Sequence, residues 1–340
     1  MAILSIVEAL REAIRDEMRR DETVFCIGED IGIVGGYGGA FTVTLGLSEE
    51  FGHERVIDTP ISEIAICGMA VGAAVAGLRP IADVQYGDFL FCMMDQLANE
   101  AAKLRYMSGG QVSVPMVMRA PIGSTRRGSQ HAQCLEAFFT HVPGLKVVAP
   151  STAYDAKGLL KAAIRDDNPV LVFEHKLLYG SKGQRQEVGA LSPKGEVPDE
   201  DYIVPIGKGI IRREGKDVTL IGIHRTLYDI LSAADKLAEK GIDAEVIDPR
   251  TLVPLDKELI YESIRKTGRL VIVEEDNLTN GWGAEIAALV ADDMFEWLDA
   301  PIKRLASPDV PPPFAPVLEA EYLPNADKVV QVVEDLVKKR

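Results

Sequence analysis

Glu63 is the residue of this chain whose type and setting best suit chemistry. It closes the stretch Asp58-Thr-Pro-Ile-Ser-Glu63, in which Pro60 stiffens the entry and Ser62 can cap the helix that follows. The run Ile64 to Gly77 behind it carries no charge. A helix apolar on every side is expected to be buried on every side. A carboxyl at the mouth of such a helix must be paired or held protonated. Glu63 is therefore the first candidate for a tuned acid or base; the plainer alternative is a helix-start glutamate interacting with the macrodipole.

Three further groups fit beside it. The apolar strand Val24–Ile27 ends in Gly28-Glu29-Asp30, and a loop there can bring Glu29 towards a cleft. His131 stands between Gln130 and Ala132-Gln133, and a histidine in a polar loop can shuttle protons near neutrality. A surface or capping histidine is the alternative. Phe89 or Tyr86 can stack on a flat heteroaromatic ring, although a phenylalanine in an apolar run is more often core. Arg126-Arg127 offers two cations for a carboxylate or phosphate, or two solvated side chains. The turn Ala163-Ile-Arg-Asp-Asp-Asn168 presents carbonyls plus Asp166 and Asn168, which suits a hard cation, although such spacing is more often a plain turn. His53, His141, His175 and His224 lack metal-ligand spacing, and His224-Arg225 at a strand end fits an interface. The glycine-rich segment Gly32–Gly39 has neither the Gly-Lys-Ser/Thr of a P-loop nor a dinucleotide spacing, so it is weak as a phosphate site. No Gly-x-Ser-x-Gly elbow is present.

These groups lie at or just after predicted strand ends. Apolar strands are expected at 24–27, 55–58, 80–85, 114–120, 145–149 and 169–173, with helices over 3–20, 64–77, 95–107 and 153–165. Residues 181–206, rich in Gly, Pro and charge, read as a surface linker. A second alternating unit follows, with strands at 218–223, 243–247 and 269–273 and helices at 226–240, 256–266, 285–298 and 326–338. The fold class is α/β, two doubly wound domains with parallel sheets covered on both faces. Ligands in such sheets sit beyond the carboxyl ends of the strands.

Bulk properties narrow the function. Of the 340 residues 47% are hydrophobic and 26% charged, which suits a soluble chain with a sizeable core. A net charge of −15 argues against nucleic acid or an anionic membrane as partner. Cys26, Cys67, Cys92 and Cys134 lie far apart among apolar neighbours and read as reduced core thiols. With no cationic leader and no run long enough to span a bilayer, a cytoplasmic protein is expected.

Several runs together resemble one family. They are Gly28-Glu29-Asp30, Ile57-Asp-Thr-Pro-Ile-Ser-Glu63, Ala74 to Pro80, Asn99-Glu-Ala-Ala-Lys103, Met107-Ser-Gly-Gly110 and Ser129-Gln-His-Ala-Gln133. Pro143 to Pro150, Ala156-Lys-Gly158, Ala163 to Pro169 and Val246 to Leu255 complete them. The chain is similar, over nearly its whole length, to beta subunits of thiamine-diphosphate-dependent 2-oxo acid dehydrogenases. The resemblance implies a pyrimidine-binding domain over 1–185, a linker over 186–204 and a transketolase C-terminal-like domain over 205–340. It also implies an alpha subunit in an α2β2 heterotetramer, which would hold magnesium and the cofactor's diphosphate, since no Gly-Asp-Gly…Asn signature occurs here. By the same resemblance Glu63 contacts the aminopyrimidine of thiamine diphosphate, and Phe89 stacks on it. Glu29 is a second active-site carboxylate, and His131 handles a proton near acyl transfer. Met116, Ala163, Ile164, Asp166 and Asn168 match a potassium site of some relatives. The implied reaction is oxidative decarboxylation of pyruvate or a branched-chain 2-oxo acid with transfer to a lipoyl acyltransferase core. Acetoin dehydrogenase and a split transketolase for sugar phosphates are the alternatives, and a non-catalytic docking subunit is the contrasting class. Ser124-Thr-Arg-Arg-Gly128 departs from the glycine- and alanine-rich segment usual before the histidine motif, which leaves the substrate open.

Overall fold

The computed structural model describes residues 1–180, 191 and 193–338. The chain opens with β1 (Ala2–Ser5) and α1 (Ile6–Arg20). Ser5 and Glu8 form a reciprocal capping box, so the helix starts three residues later than its apolar spacing suggests. Then come β2 (Val24–Glu29), α2 (Leu47–Phe51), β3 (Val56–Thr59), α3 (Glu63–Val75) and β4 (Arg79–Asp83). A 3-10 stretch Gly87–Met93 and a π-helical stretch Asp95–Ala101 precede α4 (Leu104–Met107), so the helix expected over 95–107 is broken into two. The first unit continues through β5 (Val117–Ile122), α5 (Glu136–Thr140), β6 (Lys146–Val148), α6 (Ala153–Arg165) and β7 (Val170–His175).

The linker expectation holds only in part. β8 (Lys194–Val197) pairs antiparallel with β1, while positions 181–190 and 192 of that segment lie outside the described residues. The second unit runs β9 (Ile210–Arg213), β10 (Val218–Gly222), α7 (His224–Ala238), β11 (Ala244–Asp248), β12 (Thr251–Val253), α8 (Lys257–Thr267) and β13 (Leu270–Asn277). It ends with α9 (Trp282–Asp293), β14 (Lys303–Ser307), α10 (Pro316–Tyr322) and α11 (Ala326–Lys338).

The larger sheet has the order β12-β6-β7-β5-β4-β2-β3 and the smaller β14-β13-β10-β11-β9. All ladders of the larger sheet are parallel except β12 on β6, and β9 is the antiparallel edge of the smaller. β12 comes from the second half of the chain, so the two units share a sheet edge. Buried Asp155 on α6 reinforces that seam by accepting from both Arg212 and Arg250. Under the sheet, one apolar cluster runs from Phe139 and Phe173 to Ile221, Ile223 and Trp282.

Two sequence expectations about α3 are corrected. The Ser62 side chain makes no capping hydrogen bond. The helix is buried on one side only: Ile66, Cys67, Ala70, Val71 and Ala74 pack inward, whereas Ile64 (58% exposed), Met69 (54%) and Val75 (45%) face outward. The charge-free sequence thus meets core on one face and, among the described residues, leaves Ile64, Met69 and Val75 uncovered on the other. Of the cysteines, all free, Cys26 and Cys67 are buried, but Cys92 is exposed and Cys134 half-buried, so the core-thiol reading holds for two. Among the described residues no helix is long and apolar enough to cross a membrane.

Candidate active site

Four neighbouring strand ends carry the predicted site residues. β2 ends on Glu29, β3 leads into Glu63, β4 leads to Tyr86 and Phe89, and β5 leads to the His131 loop. This is the carboxyl edge of a parallel sheet, where side chains from separate loops converge.

Glu29 is pinned from its backbone. The Gln85 side-chain amide donates to the Glu29 carbonyl (2.6 Å) and accepts from the Ala40 N–H (3.2 Å), tying β2 to the glycine-rich loop. That loop is folded onto itself. Gly38 has φ +70°, and a Cβ there would lie 2.1 Å from the Leu45 nitrogen, so only glycine fits. Burial pushes the Glu29 carboxyl up from its ordinary value, and the negative charges of Asp30, Glu63 and Asp58 add to the shift. Glu29 and Glu63 therefore lie within electrostatic reach of one another. Both are half-buried.

The aromatic wall is an edge-to-face triad. Tyr86 and His131 have ring centroids 4.9 Å apart, Phe89 and His131 5.5 Å, and Tyr86 and Phe89 5.9 Å, all near-perpendicular. Lys176, just beyond β7, donates to the His131 carbonyl and lies 5.0 Å from the Tyr86 ring centroid. The loop stem is closed by the Gly123 N–H donating to the Gln133 carbonyl (3.2 Å), and the Gln133 amide donates to buried Asp88 (2.7 Å). His131 thus stands against an aromatic face, and two carboxyls stand at the neighbouring strand ends, residue types able to hold a flat nitrogen heterocycle and to move protons.

The transketolase pyrimidine-binding domain family matches residues 3–182, and the transketolase C-terminal domain family matches 207–329. The chain is 47% identical to the 2-oxoisovalerate dehydrogenase subunit beta of Bacillus subtilis (strain 168), over 99% of this chain and 100% of that protein. It is 47% identical to the acetoin:2,6-dichlorophenolindophenol oxidoreductase subunit beta of the same strain, over 98% and 97%. It is 48% identical to the pyruvate dehydrogenase E1 component subunit beta of Rhizobium meliloti (strain 1021), over 98% and 70%. The chain belongs to the beta subunits of the 2-oxo acid dehydrogenase family. The fold agrees with that of a solved split-gene transketolase described as an inactive beta4 tetramer, with a TM-score of 0.77 at 23% identity over the full length of both chains.

The family is thiamine-diphosphate-dependent, and the residues present fit one end of that cofactor. A half-buried carboxyl pair and an aromatic wall suit an aminopyrimidine. For the diphosphate end the chain offers less: among the described residues no group of three or more His, Cys, Asp or Glu is placed to hold a metal ion. A mixed-charge cleft of about 450 Å³ does exist, but it lies between α1 and α6, and its Lys161, Arg165 and Asp201 are already paired with one another or with Glu17.

The five residues matching a potassium site are brought together, yet the cations are supplied by the chain. Arg79 donates to the carbonyls of Ile164 (3.1 Å) and Asp166 (3.0 Å), and Lys146 pairs with the Asp166 carboxylate. The Asn168 N–H and side-chain amide donate to the same carboxylate. The carbonyls of Met116 and Ala163 accept from the N–H groups of Val170 and Asp166. Arg79 thus competes with a monovalent ion for two of these carbonyls. Of the arginine pair, Arg126 turns to the second unit, its N–H donating to Glu319 (2.8 Å), and Arg127 is half-buried.

Sequence reasoning missed the residues beneath the site. Arg119 on β5 is 1% exposed and bonds Glu174 on β7 through two nitrogens (2.8 and 2.6 Å) while pairing with Asp83 on β4. His175 contacts Glu275 across the two units (3.0 Å). The one available signal was Glu274-Glu275-Asp276, an acidic cluster directly after the strand expected over 269–273. His224, read as an interface residue, is one: its N–H donates to Ser151, and burial next to His175 pushes its imidazole down to about 3.

Proposed function

We propose that this chain is the beta half of a two-chain 2-oxo acid dehydrogenase, holding the aminopyrimidine end of thiamine diphosphate while an alpha subunit holds magnesium and the diphosphate. The division into units of 1–185 and 205–340, the α2β2 assembly and a lipoyl acyltransferase core as acceptor belong to the same reading. The observation that carries it is Glu63, half-buried within reach of Glu29 at the start of a helix whose outward face is apolar and uncovered. Such a crevice is closed only when a second surface covers α3.

When bound, thiamine diphosphate supplies a nucleophilic ring carbon and an electron sink for the bond broken as carbon dioxide leaves. Glu63 then hydrogen-bonds a nitrogen of the aminopyrimidine ring and favours the tautomer whose exocyclic nitrogen can take a proton. Exclusion of water by the partner strengthens that bond. Glu29, whose carboxyl is pushed up, keeps a proton more readily than an ordinary glutamate and can exchange it with the crevice. Phe89 packs against the ring, and Tyr86 backs both Phe89 and His131. His131 serves the transfer step, in which the disulfide of a lipoyl group opens. One sulfur takes the acyl group and the other a proton from the imidazole, while the two electrons released by decarboxylation reduce the disulfide. Acetoin is a second substrate reading, favoured by the equal identity to the acetoin oxidoreductase subunit.

The test is Glu63→Gln beside the unaltered chain, each co-expressed with the alpha partner and assayed with pyruvate, 2-oxoisovalerate, acetoin and a ketose phosphate. Turnover should fall by about 10² to 10⁴, the usual value of a positioned acid or base. Undiminished turnover, or reaction with ketose phosphates alone, overturns the reading.

A further inference from the structure

The His131 loop is held from both halves of the chain: within its own unit Lys176 donates to the His131 carbonyl and the Gln133 amide to Asp88, and three further acceptors come from the C-terminal unit. Glu275, at the carboxyl end of β13, accepts from the Ser124 N–H at the loop's first stem residue and from His175 Nε2 at 3.0 Å. The His175 ring is fixed in turn, because its Nδ1 accepts from the Leu177 N–H (3.2 Å) and leaves Nε2 to donate. Arg225 Nη lies 3.9 Å from the same carboxylate. Glu319 on α10 accepts from the Arg126 N–H (2.8 Å), and the Pro312 carbonyl accepts from the Ser129 hydroxyl (3.0 Å). Three acceptors of the C-terminal unit thus grip the loop at its first, third and sixth residues from Ser124, with His131 two positions beyond the last. Within the first unit, the Ser124 hydroxyl donates to the Ala132 carbonyl (3.3 Å), so the Glu275 grip reaches both stems.

We propose that the C-terminal unit is a positioning device for His131, acting through Glu275 and Glu319. The inference rests on the proton-handling role given to His131 above. Neither glutamate touches the aromatic crevice; each acts by fixing the backbone from which the imidazole projects. A loop freed of these bonds leaves the ring about an ångström out of place, which costs about 10²-fold in a transfer step.

The experiment uses the assembled enzyme and two readouts. Hydrogen exchange of the peptide spanning residues 123–133 should accelerate in Glu275→Ala and in Glu319→Ala, with protection of α6 and β7 unchanged. Glu319→Gln, which keeps an oxygen for the Arg126 N–H, should restore protection. In parallel, acylation of a lipoyl domain should fall about 10²-fold in the two alanine variants, while decarboxylation read with an artificial electron acceptor changes little. Unchanged loop exchange overturns the proposal even if activity drops. Faster exchange with normal lipoyl acylation overturns it as well, provided His131→Ala abolishes acylation. If His131→Ala also leaves acylation intact while loop exchange rises, the clamp stands and the role of His131 is what falls. Should Glu275→Ala not fold, the Glu319 pair alone decides the matter.

Discussion

Replacing Arg119 by methionine is the sharpest test of how the sheet holds the site. Arg119 is 1% exposed and is the shared partner of Glu174 and Asp83, whose strands flank its own. Tyr179 donates to Glu174 from a third element (2.6 Å). Methionine fills most of the volume but removes the positive charge, leaving two buried carboxylates without their counter-ion. Breaking one side of a buried ion pair costs about 3–5 kcal/mol, since the remaining charge stays desolvated. For a unit of this size that corresponds to a fall of roughly 10 °C in melting temperature. The loss must depend on pH. Burial already pushes the Asp83 carboxyl up to about 6, with Arg119 opposing and Glu174 reinforcing the shift. Without Arg119 it rises further. A carboxyl whose folded value lies above its unfolded one contributes stability below the unfolded value and loses it as pH climbs through the folded value. The deficit of the variant should therefore be largest near pH 8 and shrink towards pH 5. Melting followed by circular dichroism across that range reads it directly. A deficit constant with pH, or one absent at pH 8, would refute the argument.

Two further outcomes follow from local geometry. Gly123 has φ +92°, and a Cβ there would meet the His175 ring at 2.1 Å, so Gly123→Ala should cost about 2–5 kcal/mol from backbone strain and overpacking together. Chemical denaturation measures it, and a loss under about 1 kcal/mol would mean that the ring swings aside freely. Because Arg79 already supplies positive charge at the carbonyls of Ile164 and Asp166, and Lys146 at the Asp166 carboxylate, exchanging potassium for sodium should leave the melting temperature unchanged. A potassium-specific rise would show that the ion displaces Arg79.

Much of the frame was legible in the sequence because it is local. α6 runs over Ala153–Arg165 as its spacing predicts, and Thr152 caps it through the Asp155 N–H. β2, β7 and β10 are built on apolar runs, Val24–Ile27, Val170–Phe173 and Leu220–Gly222, buried on both faces. The elements that escaped have no such signature. β9 and β14 are edge strands carrying arginine or lysine, half-exposed along most of their length. β12 is three residues that join a sheet built over a hundred positions earlier, a pairing that no local pattern encodes. Within the site, Glu63, Glu29, Phe89 and His131 could be named because each follows a readable strand. Their supports could not. Glu275 meets Ser124 across 151 positions, and nothing in the strand expected over 114–120 marks Arg119 as the pin between three strands.

The half-exposed α3 shows why the sequence pattern ran ahead of the single chain. Its apolar residues circle the helix, but only one face finds a partner here, and Ile61 before it is 76% exposed. Covering Ile64, Met69 and Val75 would contribute on the order of 5 kcal/mol of apolar burial, a gain that association can draw on. The same covering would take water from the mouth of the helix, where Glu63 sits one residue before Ile64. Desolvation strengthens a hydrogen bond from that carboxyl to a bound ring and makes an unbonded carboxylate costly. On the function proposed above, assembly and cofactor binding would be linked through one helix: a partner that buried its outer face would also create the low-dielectric setting in which Glu63 acts. Each event should favour the other, and a lone chain with an open α3 should hold the pyrimidine ring poorly however complete its side chains are.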